Sequence, residues 1–309
     1  MNPKVSIIMA TYNRSGYILE SLESIKNQTF KDWECWIVDD GSTDDTHKVL
    51  RPILDKDHRF KYVLRTPDYV KGLPGARNYG LDLAKGDYII FFDDDDIAHP
   101  QNLELCVKEL TKDLEISFCR YIRGVFKGDF DYQFDYTRAY DTFYIDKHDI
   151  NKILKNELQF NSCAVMWKRE CFYNNRFQEN LMFAEELELY TRIISSGLKG
   201  ISIKKCLFYG RKHLESNTGE FHNKDAIRRA SFADAIQLVV ANLKEKDLVS
   251  DDIVRYFIQI SLKYKRYNLF ERIMDALELT SFEKLKWQLF YWQLPLRLLF
   301  YKTKKKLLN

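Results

Sequence analysis

The chain has 309 residues, 45% hydrophobic and 30% charged, with only 12 Gly and 6 Pro, the proportions of a folded globular protein rather than a disordered or fibrous one. At roughly 100–200 residues per domain, this length allows one large domain or two modest ones. Its 48 Lys and Arg against 45 Asp and Glu leave a net charge of +3, too little for a nucleic-acid binder that works through bulk electrostatics.

Val5 to Ala10 is a compact apolar run ending at Thr11-Tyr12-Asn13, the pattern of a buried strand and its loop. Ile18, Leu22 and Ile25 follow at helical spacing. Trp33 to Val38 is a second strand, stopped by Asp39-Asp40-Gly41-Ser42, and Thr43 to Leu54 a helix capped by Ser42 or Thr43. Phe60 to Leu64 is a third strand, Gly75 to Ala84 a helix, and Tyr88 to Phe92 a fourth strand that runs into Asp93. Apolar strands alternating with helices imply a parallel sheet covered on both faces, whose ligands bind beyond the carboxyl ends of its strands. Beyond Gln101 the rhythm loosens. Leu103 to Leu110 is helical and Ile116 to Tyr121 strand-like, whereas Arg123 to Phe143 is aromatic and acidic without a clear period. Asn161 to Trp167 and Gly200 to Tyr209 have strand patterns, Phe183 to Ser195 a helical one, and everything after Asn223 is helical. The expected division is a body at 1–222, with halves at 1–100 and 101–222, and a helical region at 223–309.

The strongest chemical signal is Phe91-Phe92 followed by Asp93-Asp94-Asp95-Asp96. Adjacent carboxylates repel and are badly solvated when buried, so at the mouth of a parallel sheet they need an offsetting partner such as Mg²⁺ or Mn²⁺. A solvated acidic turn capping the next helix is the plainer alternative. Thr11-Tyr12-Asn13-Arg14 and Asp39-Asp40-Gly41-Ser42, brought to one sheet edge, would form a pocket with an aromatic face and carboxylate acceptors suited to a nucleobase; ordinary turn chemistry is the alternative. Gly72-Leu73-Pro74-Gly75-Ala76-Arg77-Asn78 opens a helix with free backbone N–H groups and adds a guanidinium fork. It is not GxGxxG, which disfavours a dinucleotide site. Glu185-Glu186 at a helix start could hold a carboxylate as general base, or merely suit the helix dipole.

In this order and spacing, these motifs together with Tyr209-Gly210-Arg211-Lys212-His213, Ser216 and Thr218 resemble glycosyltransferase family 2, over about two thirds of the chain, Val5 to Thr218. The resemblance implies an α/β protein of the GT-A fold, a Rossmann-like, mostly parallel sheet with helices on both faces, here with a C-terminal helical extension. It implies an inverting transferase that moves a sugar from a nucleotide-diphosphate sugar, a UDP-sugar above others, to a saccharide or lipid-linked saccharide in bacterial surface-polysaccharide synthesis, with Mn²⁺ or Mg²⁺. Thr11, Tyr12, Asn13 and Asp40 fall where the family holds the nucleotide, and Arg77 where a side chain reaches base or phosphate. Asp93 and Asp95 occupy the acidic places of Asp-x-Asp, the first facing ribose or metal and the second ligating the metal. Asp94, counted with the nucleotide-sugar side, is expected to point away, and His213 borders the diphosphate or metal. Glu186 takes the place of the base, although the family has Asp there; the extra methylene shifts the carboxylate by ~1.5 Å, so Glu185 is the alternative. The competing readings are a nucleotide-sugar-binding scaffold that lost its base and an Asp-x-Asp phosphatase, whose motif would instead follow the first strand.

Two further features bear on location. The six Cys include no CxxC pair, as in reduced intracellular proteins, and Met1-Asn2-Pro3-Lys4 leads into an apolar stretch without a cleavage site, which predicts no signal peptide. Residues 281–309 hold seven Lys/Arg and one Glu, a net of +6, so residues 1–280 carry −3. From Trp287 to Tyr301 this segment is aromatic and aliphatic, interrupted by Pro295, and ends in Lys302-Thr-Lys-Lys-Lys. That is the composition of an interfacial helix on anionic lipid at the inner face of the plasma membrane; packing on the body, or on a second copy in a homodimer, is the alternative.

Overall fold

The computed structural model describes residues 2–137, 139–213 and 216–308, with side chains as far as Phe300. The chain divides into two compact units, 1–231 and 232–309.

The first unit opens as expected, with β1 (Val5–Thr11), α1 (Ile18–Lys26), β2 (Trp33–Asp39), α2 (Thr46–Leu54), β3 (Phe60–Leu64), α3 (Leu73–Leu83) and β4 (Tyr88–Phe91). The four strands pair in parallel in the order β3-β2-β1-β4. Every residue of β4 is buried, and so are Val5 to Met9 of β1, as strands covered on both faces require. Gly80 lets α3 lie close on this sheet, since a Cβ there would sit 2.5 Å from a methyl carbon of Ile8. The one buried acid in the middle of these strands, Glu34, accepts from Ser6 Oγ at 2.7 Å and from the Lys85 N–H at 2.9 Å, and pairs with Lys61.

One boundary moves. α2 begins at Thr46 and not Thr43, because the Asn13 side-chain oxygen takes the N–H groups of Thr43 at 2.8 Å and Asp44 at 3.3 Å, while the Asp44 carboxylate takes that of Thr46 at 2.9 Å. Residues 41–45 are thereby a loop fastened to the end of β1.

The looser stretch supplies β5 (Ile97–Ala98), α4 (Asn102–Lys112), β6 (Phe118–Phe126), β7 (Thr142–Ile145), α5 (Ile150–Leu154), β8 (Val165–Lys168), α6 (Glu185–Ser195), β9 (Gly200–Arg211) and α7 (Asn217–His222). The sheet continues from β4 through β8, β6 and β9. β8 is antiparallel to both neighbours, β9 runs parallel to β6 over nine residue pairs, and β5 and β7 add short antiparallel pairings to β9. The sheet is thus mixed, with its longest pairings parallel. β6 and β9 outrun their expected ends, and that extra length carries Arg123 and Arg211 to the region where β4 stops.

α8 (Ala226–Glu245) leads into the second unit, which holds α9 (Asp251–Ser261), α10 (Leu269–Ala276) and α11 (Ser281–Leu308). The expected interruption at Pro295 does not occur: α11 is one helix with Pro295 inside it. The missing N–H leaves one carbonyl without its intrahelical partner, on a helix exposed along most of its length. Trp287 and Leu294 are buried, whereas Phe282, Leu285, Trp292, Leu296, Leu299 and Phe300 are at least half exposed. The side chains of Lys302 to Lys306 lie outside the described residues. Among the described residues, no helix is long and apolar enough to cross a membrane.

Candidate active site

The carboxyl ends of β1, β2 and β4 converge with the start of α6 and the end of β9, and the acids that follow β4 sit among them. Each acid has a partner from a different element. Asp93 accepts from Arg77 Nη2 of α3 at 3.0 Å, and Asp94 lies 3.5 Å from Arg14 Nε of the β1 loop. Asp95 meets His213 Nε2, beyond β9, at 2.7 Å. Asp96, almost fully buried, accepts from Arg123 Nη2 of β6 at 2.9 Å and from the Arg211 backbone N–H at 2.7 Å, while Arg211 Nε donates to the Asp95 carbonyl at 3.0 Å. Protein cations therefore do much of the offsetting that the sequence assigns to a metal. Asp94 does not point away: it is buried against Thr11 and Arg14, and burial together with the neighbouring Asp95 pushes it up to about 7. Burial likewise holds Asp96 well above the carboxylate range, against the pull of Arg123.

Arg77 is the hub. It is 2% exposed and forks, with Nη1 donating to Glu185 at 3.0 Å and Nη2 to Asp93 and to Ser162 Oγ, each at 3.0 Å. Its guanidinium is held by two protein acids and a serine. Gly75 makes the preceding turn feasible, since a Cβ there would fall 2.0 Å from the Val70 carbonyl oxygen. Asn78, next to Arg77, exchanges hydrogen bonds with the Phe177 backbone and reaches Glu179 at 2.8 Å, so α3 also pins the segment that leads to α6.

The two glutamates of α6 are unlike. Ala184, just before them, is in the left-handed region at φ 63°, a conformation costing about 1–2 kcal/mol for a residue with a Cβ. Ser231 Oγ steadies it, accepting the Met182 and Phe183 N–H groups and donating to the Phe183 carbonyl. Glu185 is buried on Arg77; Glu186 is partly exposed and has no such partner among the described contacts. Burial, then the charge of Glu185, pushes Glu186 up to about 8, and burial also raises Glu185 despite Arg77.

On the other side, the Asp40 carboxylate, buried at the end of β2, takes the guanidinium of Arg65, which also caps the Thr66 carbonyl. Asp39 closes its turn by accepting the N–H groups of Gly41 and Ser42. Tyr12 is 44% exposed, with Lys71 Nζ 4.9 Å from its ring centre. Thr11, Tyr12 and Asp40 thus lie together as expected, while Asn13 ties the two loops to each other.

Two groups of side chains bring metal-ligating atoms together. Asp93, Asp96 and Cys163 offer ligand atoms within 4.8 Å of one another, but both acids are engaged by arginines and burial holds the Cys163 thiol protonated, so this set does not suit a cation. Asp95 and His213 do fit: a carboxylate oxygen and an imidazole nitrogen already converge, a donor set that suits Mn²⁺. His213 Nδ1 is buried and has no hydrogen-bond partner among the described residues, and the Tyr17 ring lies 5.2 Å away. Arg14, Arg123, Arg211, Ser162 and Asn78 complete the site, and none was singled out from the sequence as a site residue. Arg14, Asn78 and Arg211 stand within the sequence motifs, whereas Arg123 and Ser162 lie outside them.

The model of the family described as Glycosyl transferase family 2 matches residues 6–174, more than half the chain. Over 156 residues the chain is 35% identical to the GalNAc(5)-diNAcBac-PP-undecaprenol beta-1,3-glucosyltransferase of Campylobacter jejuni, covering 41% of this chain and 50% of that protein. Over 115 residues it is 43% identical to the UDP-Glc:alpha-D-GlcNAc-diphosphoundecaprenol beta-1,3-glucosyltransferase WfgD of Escherichia coli, covering 37% and 43%. The chain spans about half the length of these curated relatives. Among solved structures, S. aureus TarS 1–349 in complex with UDP-GlcNAc superposes with a TM-score of 0.70 at 18% identity, over 89% of this chain and 81% of that one. The mannosyltransferase PcManGT of Pyrobaculum calidifontis, in complex with GDP-Man and Mn²⁺, superposes with 0.54 at 16% identity, over 92% and 88%. The fold is the expected GT-A fold.

Replacing Arg77 by Ala leaves Glu185 and Asp93 without their cation. Breaking a buried pair in this way costs about 3–5 kcal/mol, so the urea unfolding midpoint of Arg77→Ala is expected to fall steeply. Arg77→Lys should recover only part of the loss, since a single ammonium nitrogen lacks the planar spread that lets Nη1 reach Glu185 while Nη2 reaches Asp93 and Ser162.

Proposed function

The chain belongs to glycosyl transferase family 2, and we propose that it is an inverting, metal-assisted glycosyltransferase that passes a sugar from a UDP-sugar to a hydroxyl of a lipid-linked saccharide in surface-polysaccharide synthesis. The observation that carries this reading is the unequal glutamate pair: Glu185 is held by Arg77, and Glu186 is left with a raised proton affinity beside the acids of β4. A general base works best when its pKa lies near the operating pH, and about 8 meets that condition.

In the proposed reaction Glu186 takes the proton of the acceptor hydroxyl as its oxygen bonds to the anomeric carbon. The bond from that carbon to the diphosphate breaks, and its electron pair leaves with the diphosphate. One displacement by one base inverts the centre. Thr11, Tyr12 and Asp40 would seat the base, and Asp93 and Asp94 would face the sugar-nucleotide. Asp95 and His213 would hold a divalent cation, Mn²⁺ or Mg²⁺, which when bound supplies positive charge to the leaving diphosphate. Arg77 keeps Glu185 and Asp93 fixed, so that of the two glutamates Glu186 is the one placed to gain and lose a proton. The complexes of TarS with UDP-GlcNAc and of PcManGT with GDP-Man and Mn²⁺ support a sugar-nucleotide and a divalent metal. The names of the two undecaprenol-linked glucosyltransferases support the acceptor class.

Glu186→Gln is expected to lower turnover by orders of magnitude while calorimetric UDP affinity stays within a few-fold; near-normal turnover would remove Glu186 as the base. Because the base acts ionised, kcat/KM should be low at pH 6 and climb through about pH 8. A profile flat over that range contradicts the assignment. Asp95→Asn and His213→Ala should each weaken Mn²⁺-dependent UDP binding at least tenfold and leave the metal-independent part unchanged.

We place the chain at the cytoplasmic face of the plasma membrane through α11. Its exposed Trp292, Leu296 and Phe300 suit a lipid interface, and the Lys-rich sequence that follows suits anionic head groups. Between α9 and α11 a groove of about 860 Å³ adds Arg255, Lys286 and Arg297. The full chain should float with vesicles containing 30% phosphatidylglycerol and stay behind with neutral ones, and Trp292→Ser with Phe300→Ser should abolish flotation. A chain that ignores both vesicles and sediments as a dimer would assign α11 to a second copy instead.

A further inference from the structure

The segment joining β6 to β7 takes no part in the sheet or in the chemistry above. From Asp129 to Tyr136 it reads Asp-Phe-Asp-Tyr-Gln-Phe-Asp-Tyr, with a ring at every second residue and an acid or amide between. The rings form one ladder. Phe126 meets Phe130 at 5.1 Å between centroids, Phe130 meets Tyr132 at 5.5 Å and Phe134 at 5.4 Å, and Phe134 meets Tyr136 at 6.2 Å. Tyr209 of β9 backs Phe130, Tyr132 and Phe134 at 5.2 to 5.9 Å.

Three buried side chains tie this irregular segment down. Arg211 donates to the Gly128 carbonyl and Lys205 to the Thr137 carbonyl. His99 Nδ1 accepts from the Gln101 N–H at 3.0 Å, so its other nitrogen carries the proton and donates to the Asp135 carbonyl at 3.0 Å. Burial pushes His99 down to about 4, which keeps that neutral tautomer. Ordering the backbone costs about 1–2 kcal/mol per residue, yet Tyr132 remains 50% and Tyr136 58% exposed. The fold therefore spends buried polar groups on holding rings whose faces are still wet.

The ladder is attached to the acids of the candidate site. The Arg211 guanidinium lies 4.6 Å from the Phe126 ring centre and also donates to the Asp95 carbonyl; Arg123, on the same strand as Phe126, holds Asp96. A pyranose ring is a match for such a surface, because its C–H face packs on an aromatic ring while its hydroxyls donate to carboxylates and amides. The exposed Asp129 and Asp131, flanking Phe130 and Tyr132, repel phosphates and carboxylates at those rings, which disfavours nucleic acid and anionic sugars there; Asp135 is paired with Lys205 at 3.2 Å and Lys127 lies at the other end of the ladder. Residues 126–137 include no aliphatic side chain for a lipid tail.

We propose that the Phe126–Tyr136 ring ladder is the platform on which an uncharged saccharide of the acceptor stacks, and that it selects against anionic acceptors. This rests on the glycosyltransferase reading and adds the acceptor class to it.

The test is a panel of immobilised oligosaccharides, uncharged and uronate- or sialate-bearing, probed with the full chain in the presence of UDP and Mn²⁺. The wild-type chain should be retained by uncharged glycans at least tenfold better than by anionic ones. Tyr132→Ala with Tyr136→Ala should lose tenfold or more, and Tyr132→Phe with Tyr136→Phe should stay within threefold, since the ring faces remain. If the double alanine variant melts more than 10 °C below wild type, the comparison passes to Tyr136→Ala alone. Retention by no glycan, retention unaffected by alanine, or a preference for anionic glycans each overturns the platform. Hydrolysis of a UDP-sugar by the wild-type chain without acceptor separates the outcomes: if it persists the transferase reading stands while the platform falls, and if it is absent the transferase reading falls first.

Discussion

Four carboxylates on consecutive residues, at the end of a strand buried on both faces, repel one another and lose their water together. Two like charges 4 Å apart at an effective dielectric of 20 cost about 4 kcal/mol, so Asp93 to Asp96 can be housed only where cations are brought to them. The fold brings them from separate places: Arg14 after β1, Arg77 from α3, Arg123 from β6, and Arg211 and His213 from the end of β9. The parallel strands and the later, mixed part of the sheet meet around this charge. The lengths of β6 and β9 make sense as what is needed to deliver their arginines.

The same arrangement creates an asymmetry useful for chemistry. Arg77 is shared between Asp93, just after β4, and Glu185 of α6, and makes no hydrogen bond to the neighbouring glutamate among the described contacts. For Glu186, burial and the charge of Glu185 favour the proton and outweigh the more distant pull of Arg77. Adjacent residues of one type thus come to differ in role because one guanidinium faces only one of them. Among the four aspartates, Asp95 is the one whose partner is an imidazole rather than a guanidinium, and an imidazole can turn from hydrogen-bond donor to metal ligand.

Surfaces away from the acids follow a different logic. In the first unit, the ring ladder is held rigid from beneath by His99, Lys205 and Arg211 while its faces remain in water. In the second, α11 buries Trp287 and Leu294 and leaves most of its other large apolar side chains outside. Both expose apolar area beside charge, mainly acidic around the ladder and mainly basic along α11. The two surfaces therefore suit different partners, hydroxyl-rich in one case and anionic in the other.

The parallel half of the sheet, its helices and the loops at its edge were legible in the residue order, because buried strands and amphipathic helices write their periods locally. The Asp run, the Arg77 turn and the glutamate pair were visible for the same reason: each is a short contiguous motif. What was not legible depends on contacts between distant residues. That Arg77 holds Glu185, 108 positions away, could not be read locally, and Asp94, expected to point away, is buried against Arg14 and Thr11. Between Asp129 and Tyr136 rings and polar residues alternate with the period of a strand, yet no strand forms there: long-range tethers to His99, Lys205 and Arg211, rather than a strand partner, hold the segment. Local pattern settled the elements and the identity of the acids; which acid is neutralised, which is free and which holds a proton was settled only by the cations that folding places beside them, since charge energies depend on distance in space and not along the chain.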